Sequence, residues 1–167
     1  VIAVGVVPST IYLAAGQKEI EIAGICSADK TGLLSLPLNV FAVSHMSRLY
    51  GRLAWLEQWK PGGATHSLAL ANLIGQNYAE AAYDPLIMMS PSEAIVTPGD
   101  MLSAHCIYDT TSTNTTIVGG NGDFDELCWT WISYYPKTDA IKCSSSAIPY
   151  NPNDGHFRPD RNSTIIL

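Results

Sequence analysis

The sequence predicts an all-β fold, a jelly-roll β-sandwich of two antiparallel sheets. Short runs rich in Val, Ile, Leu, Tyr and Trp recur along the chain, and clusters of Gly, Pro, Ser, Asp and Asn separate them. Hydrophobic residues make up 47% of the 167 residues and charged residues 14%, which is typical of a globular chain. This length is sufficient for one domain with a substantial core.

Each predicted strand is a short apolar run bounded by turn residues. Residues 19–22 alternate glutamate with isoleucine, so we expect one face of this strand to lie in water. The one helix-like window, residues 79–82, is too short to propagate alone. The predicted strands are, in order, 1–7, 11–14, 19–25, 38–43, 50–56, 68–74, 94–96, 101–108, 115–118 and 127–135.

The last predicted strand is rich in aromatic residues and alternates. Cys128, Thr130 and Ile132 share one face. Trp129 and Trp131 share the other, which we expect to be covered by a partner layer or by another subunit.

Charge and hydropathy exclude several classes of partner. The net charge of -6 argues against a nucleic-acid or anionic-membrane surface, and no run of about 18 uninterrupted apolar residues predicts a membrane span. We assign residues 1–148 to the sandwich and the polar residues 149–167 to a C-terminal extension. The apolar start at Val1 has no basic region before it, which indicates a mature segment or a domain of a longer chain.

Cysteines and glycosylation motifs indicate the compartment. The four cysteines include no Cys-x-x-Cys pair, and they permit three disulfide pairings. Two Asn-x-Thr motifs begin at Asn114 and Asn162. Together they favour an oxidising, secretory environment, so we predict a secreted or cell-surface protein that carries N-linked glycans.

The most specific pattern lies between Gly99 and Tyr135. Its elements are the Gly-Asp at 99–100, Cys106-x-Tyr108, the Gly-Gly at 119–120, Asp125-Glu126-x-Cys128 and Ile132-x-Tyr-Tyr. This pattern resembles the second domain of the copper type II, ascorbate-dependent monooxygenases, the family of peptidylglycine α-hydroxylating monooxygenase and dopamine β-hydroxylase. The resemblance covers roughly residues 16–143. It implies the jelly-roll sandwich and the disulfides Cys26–Cys143 and Cys106–Cys128.

The same resemblance locates a metal site whose ligands are substituted. In the family, a His-x-His on a strand and a methionine bind copper. The resemblance places Met46 and Arg48 at the two histidine positions and Leu127 at the methionine position. Arg48 offers no lone pair and Leu127 offers only a hydrocarbon, so no cofactor is expected.

His45 and Met46 are the weak metal candidates that remain. They are adjacent on a predicted strand, so their side chains lie on opposite faces unless a bulge intervenes. The loop 121–126 places oxygen side chains at the opening spacing of a calcium loop, but it lacks the glycine and the distal acid that such loops require. A solvated acidic hairpin turn is the favoured interpretation of that loop.

These observations predict a non-catalytic extracellular domain with a structural, assembly or recognition role. Its partners would be other protein chains, and the sheet edges and the apolar start at residues 1–7 could support self-assembly. One alternative is a copper- and ascorbate-dependent monooxygenase half whose ligands are His45 and Met46 or come from another chain. A second is a glycan- or small-ligand-binding module that uses the exposed tryptophans.

Overall fold

Thirteen strands make up most of the described chain. The computed structural model describes residues 1–62, 65–72 (backbone only), 86–89, 94–122, 124–139 and 141–149. A 3-10 turn lies at Pro8–Thr10 and the short helix α1 at Ala28–Thr31. The strands are β1 (Ile2–Val6), β2 (Tyr12–Leu13), β3 (Ile20–Cys26), β4 (Leu38–Met46), β5 (Gly51–Trp59), β6 (Thr65–Asn72), β7 (Leu86–Met88), β8 (Ile95–Val96), β9 (Met101–Tyr108), β10 (Ile117–Val118), β11 (Trp129–Tyr135), β12 (Lys142–Ser145) and β13 (Ile148–Pro149).

The strands form two large sheets that pack face to face. The first sheet has the order β12-β1-β11-β4-β7, and β8 also pairs with β4. The second has the order β13-β3-β9-β5-β6, and β2 and β10 form a small separate ribbon. All pairs in the two large sheets are antiparallel except β1 with β12, which is parallel. The predicted all-β sandwich is confirmed.

Side-chain alternation builds the core between the sheets. In β9 the even-numbered residues Leu102, Ala104 and Cys106 point inward and are at most 2% exposed. In the first sheet Val43 and Ile132 lie opposite each other and are fully buried. The inward side chains form two adjoining hydrophobic clusters.

Each hydrophobic cluster contains one disulfide that joins the two sheets. Cys26 of β3 is bonded to Cys143 of β12, and Cys106 of β9 is bonded to Cys128, which directly precedes β11. This is the pairing that the resemblance implied. The described residues contain no free cysteine. Two cross-sheet disulfides fit a secreted or lumenal environment.

The apolar start of the chain is not a free sheet edge, contrary to the expectation for residues 1–7. β1 pairs with β11 on one side and with β12 on the other. Its backbone also approaches β3 so closely that a Cβ on Gly24 would collide with the Gly5 carbonyl. The expectation was wrong because a sequence of apolar residues looks the same whether the strand lies inside a sheet or at its edge.

The expectation that residues 19–22 place one face in water was also wrong. Glu19 is exposed, but Glu21 is only 7% exposed. Its carboxylate lies 3.4 Å from the imidazole of His105 on β9, and this ionic partner compensates for the loss of contact with water.

Three short strands, β7, β12 and β13, were not expected from the sequence. Each has at most four residues, too few for alternation to be recognised. β13 crosses the predicted boundary between residues 148 and 149. The helix-like window 79–82 and the extension beyond residue 149 lie outside the described residues. Within the part of the chain that the structure describes, no helix is long and apolar enough to span a membrane.

The two disulfides are expected to contribute unequally to stability. Cys26 and Cys143 are 117 residues apart and Cys106 and Cys128 are 22 apart, so the first restricts the unfolded chain more. Replacing the first pair by alanines should lower the free energy of unfolding by about 5 kcal/mol, and replacing the second by about 3 kcal/mol. Urea unfolding of both double variants measures the difference. Equal losses of unfolding free energy in the two variants would contradict the idea that each disulfide stabilises according to the length of the loop it closes.

Candidate functional site

Two of the three family copper-ligand positions meet on the outer face of the first sheet. Met46 ends β4 and lies opposite Trp129 of β11. Leu127 precedes β11, and it packs with Trp129, Ala3 and Met46 in a small apolar cluster. Leu127 is 7% exposed and Trp129 is 9% exposed. Hydrocarbon and indole therefore fill the space between the two positions.

A surface cleft of about 460 Å³ opens at this cluster. Among the described residues that line the cleft, Lys142 is the only charged one and none is acidic. This contrasts with the net charge of -6 of the whole chain. The lining residues are Pro8, Ser9, Met46, Gly120, Asn121, Leu127, Trp129, Trp131 and Lys142.

Two tryptophans and a lysine form the exposed wall of this cleft. The rings of Trp129 and Trp131 stack with centroids 6.3 Å apart and an interplanar angle of 24°. Lys142 Nζ lies 5.0 Å from the centroid of the Trp129 ring, which is cation–π geometry. Trp131 is 40% exposed. The wall therefore presents a large indole surface beside a positive charge.

His45 lies inside the sandwich, on the opposite face of β4 from Met46. Its side chain is fully buried, and its Nδ1 is 2.8 Å from Thr130 Oγ1. β4 and β11 do contain a bulge, but it lies near Ser133 and Tyr134, beyond this pair. The bulge therefore does not bring His45 to the face of Met46, and the two cannot share one metal ion.

Arg48 belongs to the turn between β4 and β5, and Glu126 fixes this turn. The Glu126 carboxylate is fully buried and accepts hydrogen bonds from the backbone N–H groups of Arg48 at 2.9 Å and Tyr50 at 2.7 Å. Burial raises the pKa of Glu126 above its ordinary value, although these backbone hydrogen bonds act in the opposite direction. Glu126 thereby connects the segment carrying Leu127 to the end of β4.

The residues at the family's metal position do not fit a copper ion. Met46 supplies one thioether, Leu127 supplies no donor, and the ammonium of Lys142 adds a like charge to the cleft. Among the described residues, no group of three or more His, Cys, Asp or Glu side chains is arranged to hold a metal. The geometry is that of an apolar cleft.

The loop 121–126 is a tight turn in the part that the structure describes. Asp125 Oδ2 accepts a hydrogen bond from the Gly122 N–H at 2.8 Å, while Glu126 turns inward. The expectation of a solvated acidic turn therefore does not hold for Glu126. Asn114 is exposed, so its predicted glycosylation stays a prediction on an accessible side chain. Asn162 lies outside the described residues.

Sequence reasoning missed a cluster of buried ionisable groups in the second sheet. His105 lies between Glu21 of β3 and Glu57 of β5, and all three are at most 7% exposed. The signal was present, since a histidine and two glutamates interrupt three apolar strands. Strand register, which sequence alone does not give, was needed to bring them together.

Comparison with known proteins gives one family model and several curated relatives. A family model described as the copper type II ascorbate-dependent monooxygenase, C-terminal domain, matches residues 1–154. Tyramine beta-hydroxylase of Caenorhabditis briggsae is 28% identical over 131 residues, which are 78% of this chain and 21% of the relative. Dopamine beta-hydroxylase of Bos taurus is 30% identical over 131 residues, 77% of this chain and 20% of the relative. The chain thus spans about a fifth of the length of these curated relatives.

Removing the Glu126 carboxylate is expected to destabilise the domain. Glu126→Ala leaves two partly buried backbone N–H groups without their charged acceptor, which should lower the free energy of unfolding by about 2 kcal/mol. Asp125→Ala is the matched control, because its carboxylate accepts only from the exposed Gly122 N–H among the hydrogen bonds described, and should cost at most about 1 kcal/mol. Urea unfolding at neutral pH compares the two. A larger loss in the control would contradict the anchoring role.

Proposed function

The chain belongs to the copper type II, ascorbate-dependent monooxygenase family, as a C-terminal domain, and from that premise we propose that it is a non-catalytic extracellular recognition domain. The chemistry of the family's metal position carries the proposal. A thioether, a guanidinium and a hydrocarbon replace two imidazoles and a thioether at positions 46, 48 and 127. One soft donor cannot hold Cu(I) against competing ligands in solution.

The proposed contact surface is the cleft beside Trp131. Its volume of about 460 Å³ suits one or two side chains of a partner protein rather than a whole strand or helix. Tryptophan and methionine are enriched at protein interfaces because they bury a large apolar area, and an exposed indole such as Trp131 gains most when covered. The partner we propose is another protein chain that inserts an apolar or aromatic group here.

Self-assembly through sheet edges is the second form that a structural role could take. β1 is not available for it, because both its sides are paired. The outermost strands in the described sheets are β12 and β7 in the first and β13 and β6 in the second. Each would have to pair with a neighbouring chain through its open side.

An extracellular location follows the same reasoning. Both disulfides join the two sheets, so the native fold depends on an oxidising compartment during folding. The exposed side chain of Asn114 is accessible to a glycan. We therefore propose a secreted glycoprotein.

Restoring the family ligands is expected to restore copper binding. The unmodified chain should retain far less than one Cu(I) per molecule after incubation with copper and ascorbate and removal of free metal. The triple variant Met46→His/Arg48→His/Leu127→Met should retain about one, because two imidazoles and a thioether then stand at the three positions where the family holds its copper. Metal analysis at known protein concentration gives both values.

The opposite result would return the chain to the enzyme class. One tightly bound copper in the unmodified protein, lost in His45→Ala, would support the copper-dependent monooxygenase half. Circular dichroism of each variant shows that it is folded before its metal content is compared.

An aromatic anion should bind the cleft and report on its walls. We expect 8-anilinonaphthalene-1-sulfonate to bind next to Trp131 and Lys142, and its affinity to fall about tenfold in Trp131→Ala and several-fold in Lys142→Gln. Leu33→Ala is the control, since Leu33 is 77% exposed and does not line the cleft. Fluorescence titration measures all four proteins. Equal affinity in all of them would exclude the cleft as the binding surface for this probe.

A further inference from the structure

The second sheet contains a histidine held between two carboxylates. His105 Nδ1 lies 3.4 Å from Glu21 Oε1, and His105 Nε2 lies 3.3 Å from Glu57 Oε2. Ser103 Oγ is 2.9 Å from the same Nε2. All four side chains lie on the face of the second sheet opposite the core, yet none is more than 7% exposed.

The protonated imidazole is the form that pairs with both carboxylates at once. In the neutral ring, Nε2 can accept a hydrogen bond from Ser103 Oγ, but only one carboxylate then faces an N–H. A neutral imidazole has one N–H and one lone pair, so one of its nitrogens would face a carboxylate oxygen without a proton between them. The imidazolium carries a proton on both nitrogens, so Nδ1 faces Glu21 and Nε2 faces Glu57 as ion pairs. Each contact then joins opposite charges in a buried environment, where an unpaired charge would be costly.

Trp55 adds a further contact that favours the charged ring. The indole of Trp55 on β5 stacks on His105 with ring centroids 4.5 Å apart and an interplanar angle of 8°. An imidazolium over an indole face gains cation–π attraction that a neutral imidazole lacks. Trp55 is itself fully buried, so water does not screen this contact.

Ser103, His105 and Glu21 stand in the order of a nucleophile, a base and an orienting acid, but they do not form a catalytic site. Ser103 is fully buried, so no acyl substrate reaches its hydroxyl. Glu57 also occupies the nitrogen that would have to accept the serine proton. The cluster acts on the fold and not on a substrate.

We propose that Glu21, His105 and Glu57 form a proton-dependent cross-link between β3, β9 and β5, the three central strands of the second sheet. With the proton on His105, the two carboxylates are held by one cation. Without it, each of the two buried carboxylates loses the cation that it faces on β9. The domain is therefore built to be more stable in a mildly acidic compartment than in a neutral or alkaline one.

The direction of the pKa shift agrees with this geometry. Burial alone lowers the pKa of His105, but the hydrogen bonds and charges of Glu21 and Glu57 outweigh it and raise the pKa above its ordinary value. On the strands packed around it, the titratable side chains facing His105 in the described part of the chain are these two glutamates. The stabilisation is fully present below about pH 6.5, the ordinary value, and is lost as pH rises through the folded-state pKa.

Two measurements test the proposal on the full chain. In NMR titrations of the histidine rings, assigned by the signal lost in His105→Gln, we expect His105 to titrate above pH 6.5 and its pKa to fall in Glu21→Gln and again in Glu57→Gln. In urea unfolding, the folding equilibrium constant should fall by up to about tenfold per pH unit between pH 6.5 and the folded-state pKa.

His45→Gln is the matched control, because His45 is equally buried but its Nδ1 contacts the Thr130 hydroxyl and not a carboxylate. The pH slope should persist in His45→Gln and flatten in His105→Gln. A His105 that is neutral at pH 6.5, or a slope that disappears with His45 and not with His105, would overturn the proposal. Where His105→Gln does not fold, the signal is assigned as the one histidine ring whose pKa falls in both Glu21→Gln and Glu57→Gln, and the absence of such a ring would also overturn the proposal.

Discussion

Along β4 and β11, successive side chains point to opposite faces of the first sheet, and this alternation determines which groups can meet. His45 and Thr130 point into the sandwich, while Met46 and Trp129 point to the cleft. A histidine one residue away from a ligand position therefore has its imidazole on the opposite face of the sheet. The chain retains a histidine next to the family's metal position, but the backbone geometry makes it part of the core.

The cross-links of the scaffold do not depend on the side chains at the family's metal position. Two disulfides join the sheets, and the Glu126 carboxylate holds the β4–β5 turn against the segment before β11. None of these cross-links uses the side chain at position 46, 48 or 127, since Arg48 contributes only its backbone N–H. Substitutions at positions 46 and 127 therefore change the chemistry of the cleft without removing a contact that the fold requires. Met46, Leu127 and Trp129 form an apolar cluster at the family's metal position.

The sequence was most informative where a strand is long and alternates. It predicted β9 to the residue and the two faces of β11, because Cys128, Thr130 and Ile132 share a period of two. It was least informative where burial depends on another strand. Glu21 looked like a solvent-facing residue because its partner, His105, is 84 positions away and only register unites them. The cleft was foreseen only as a pair of tryptophans, since its lysine comes from β12, a strand too short to recognise.

The two outer faces of the sandwich differ: one buries charged side chains, and the other leaves an aromatic side chain exposed. On the second sheet, an imidazole and two carboxylates are buried beside Trp55. On the first, Trp131 is left 40% exposed beside Lys142. Burying a charge opposes stability unless the charge is paired, and leaving an indole exposed forgoes the free energy that covering it would gain. The buried charges neutralise one another within the fold, whereas the exposed indole has no such partner in the described chain. A binding role therefore fits the outer face of the first sheet better than that of the second. A partner that covers Trp131 would remove apolar surface from water, which the isolated domain does not do.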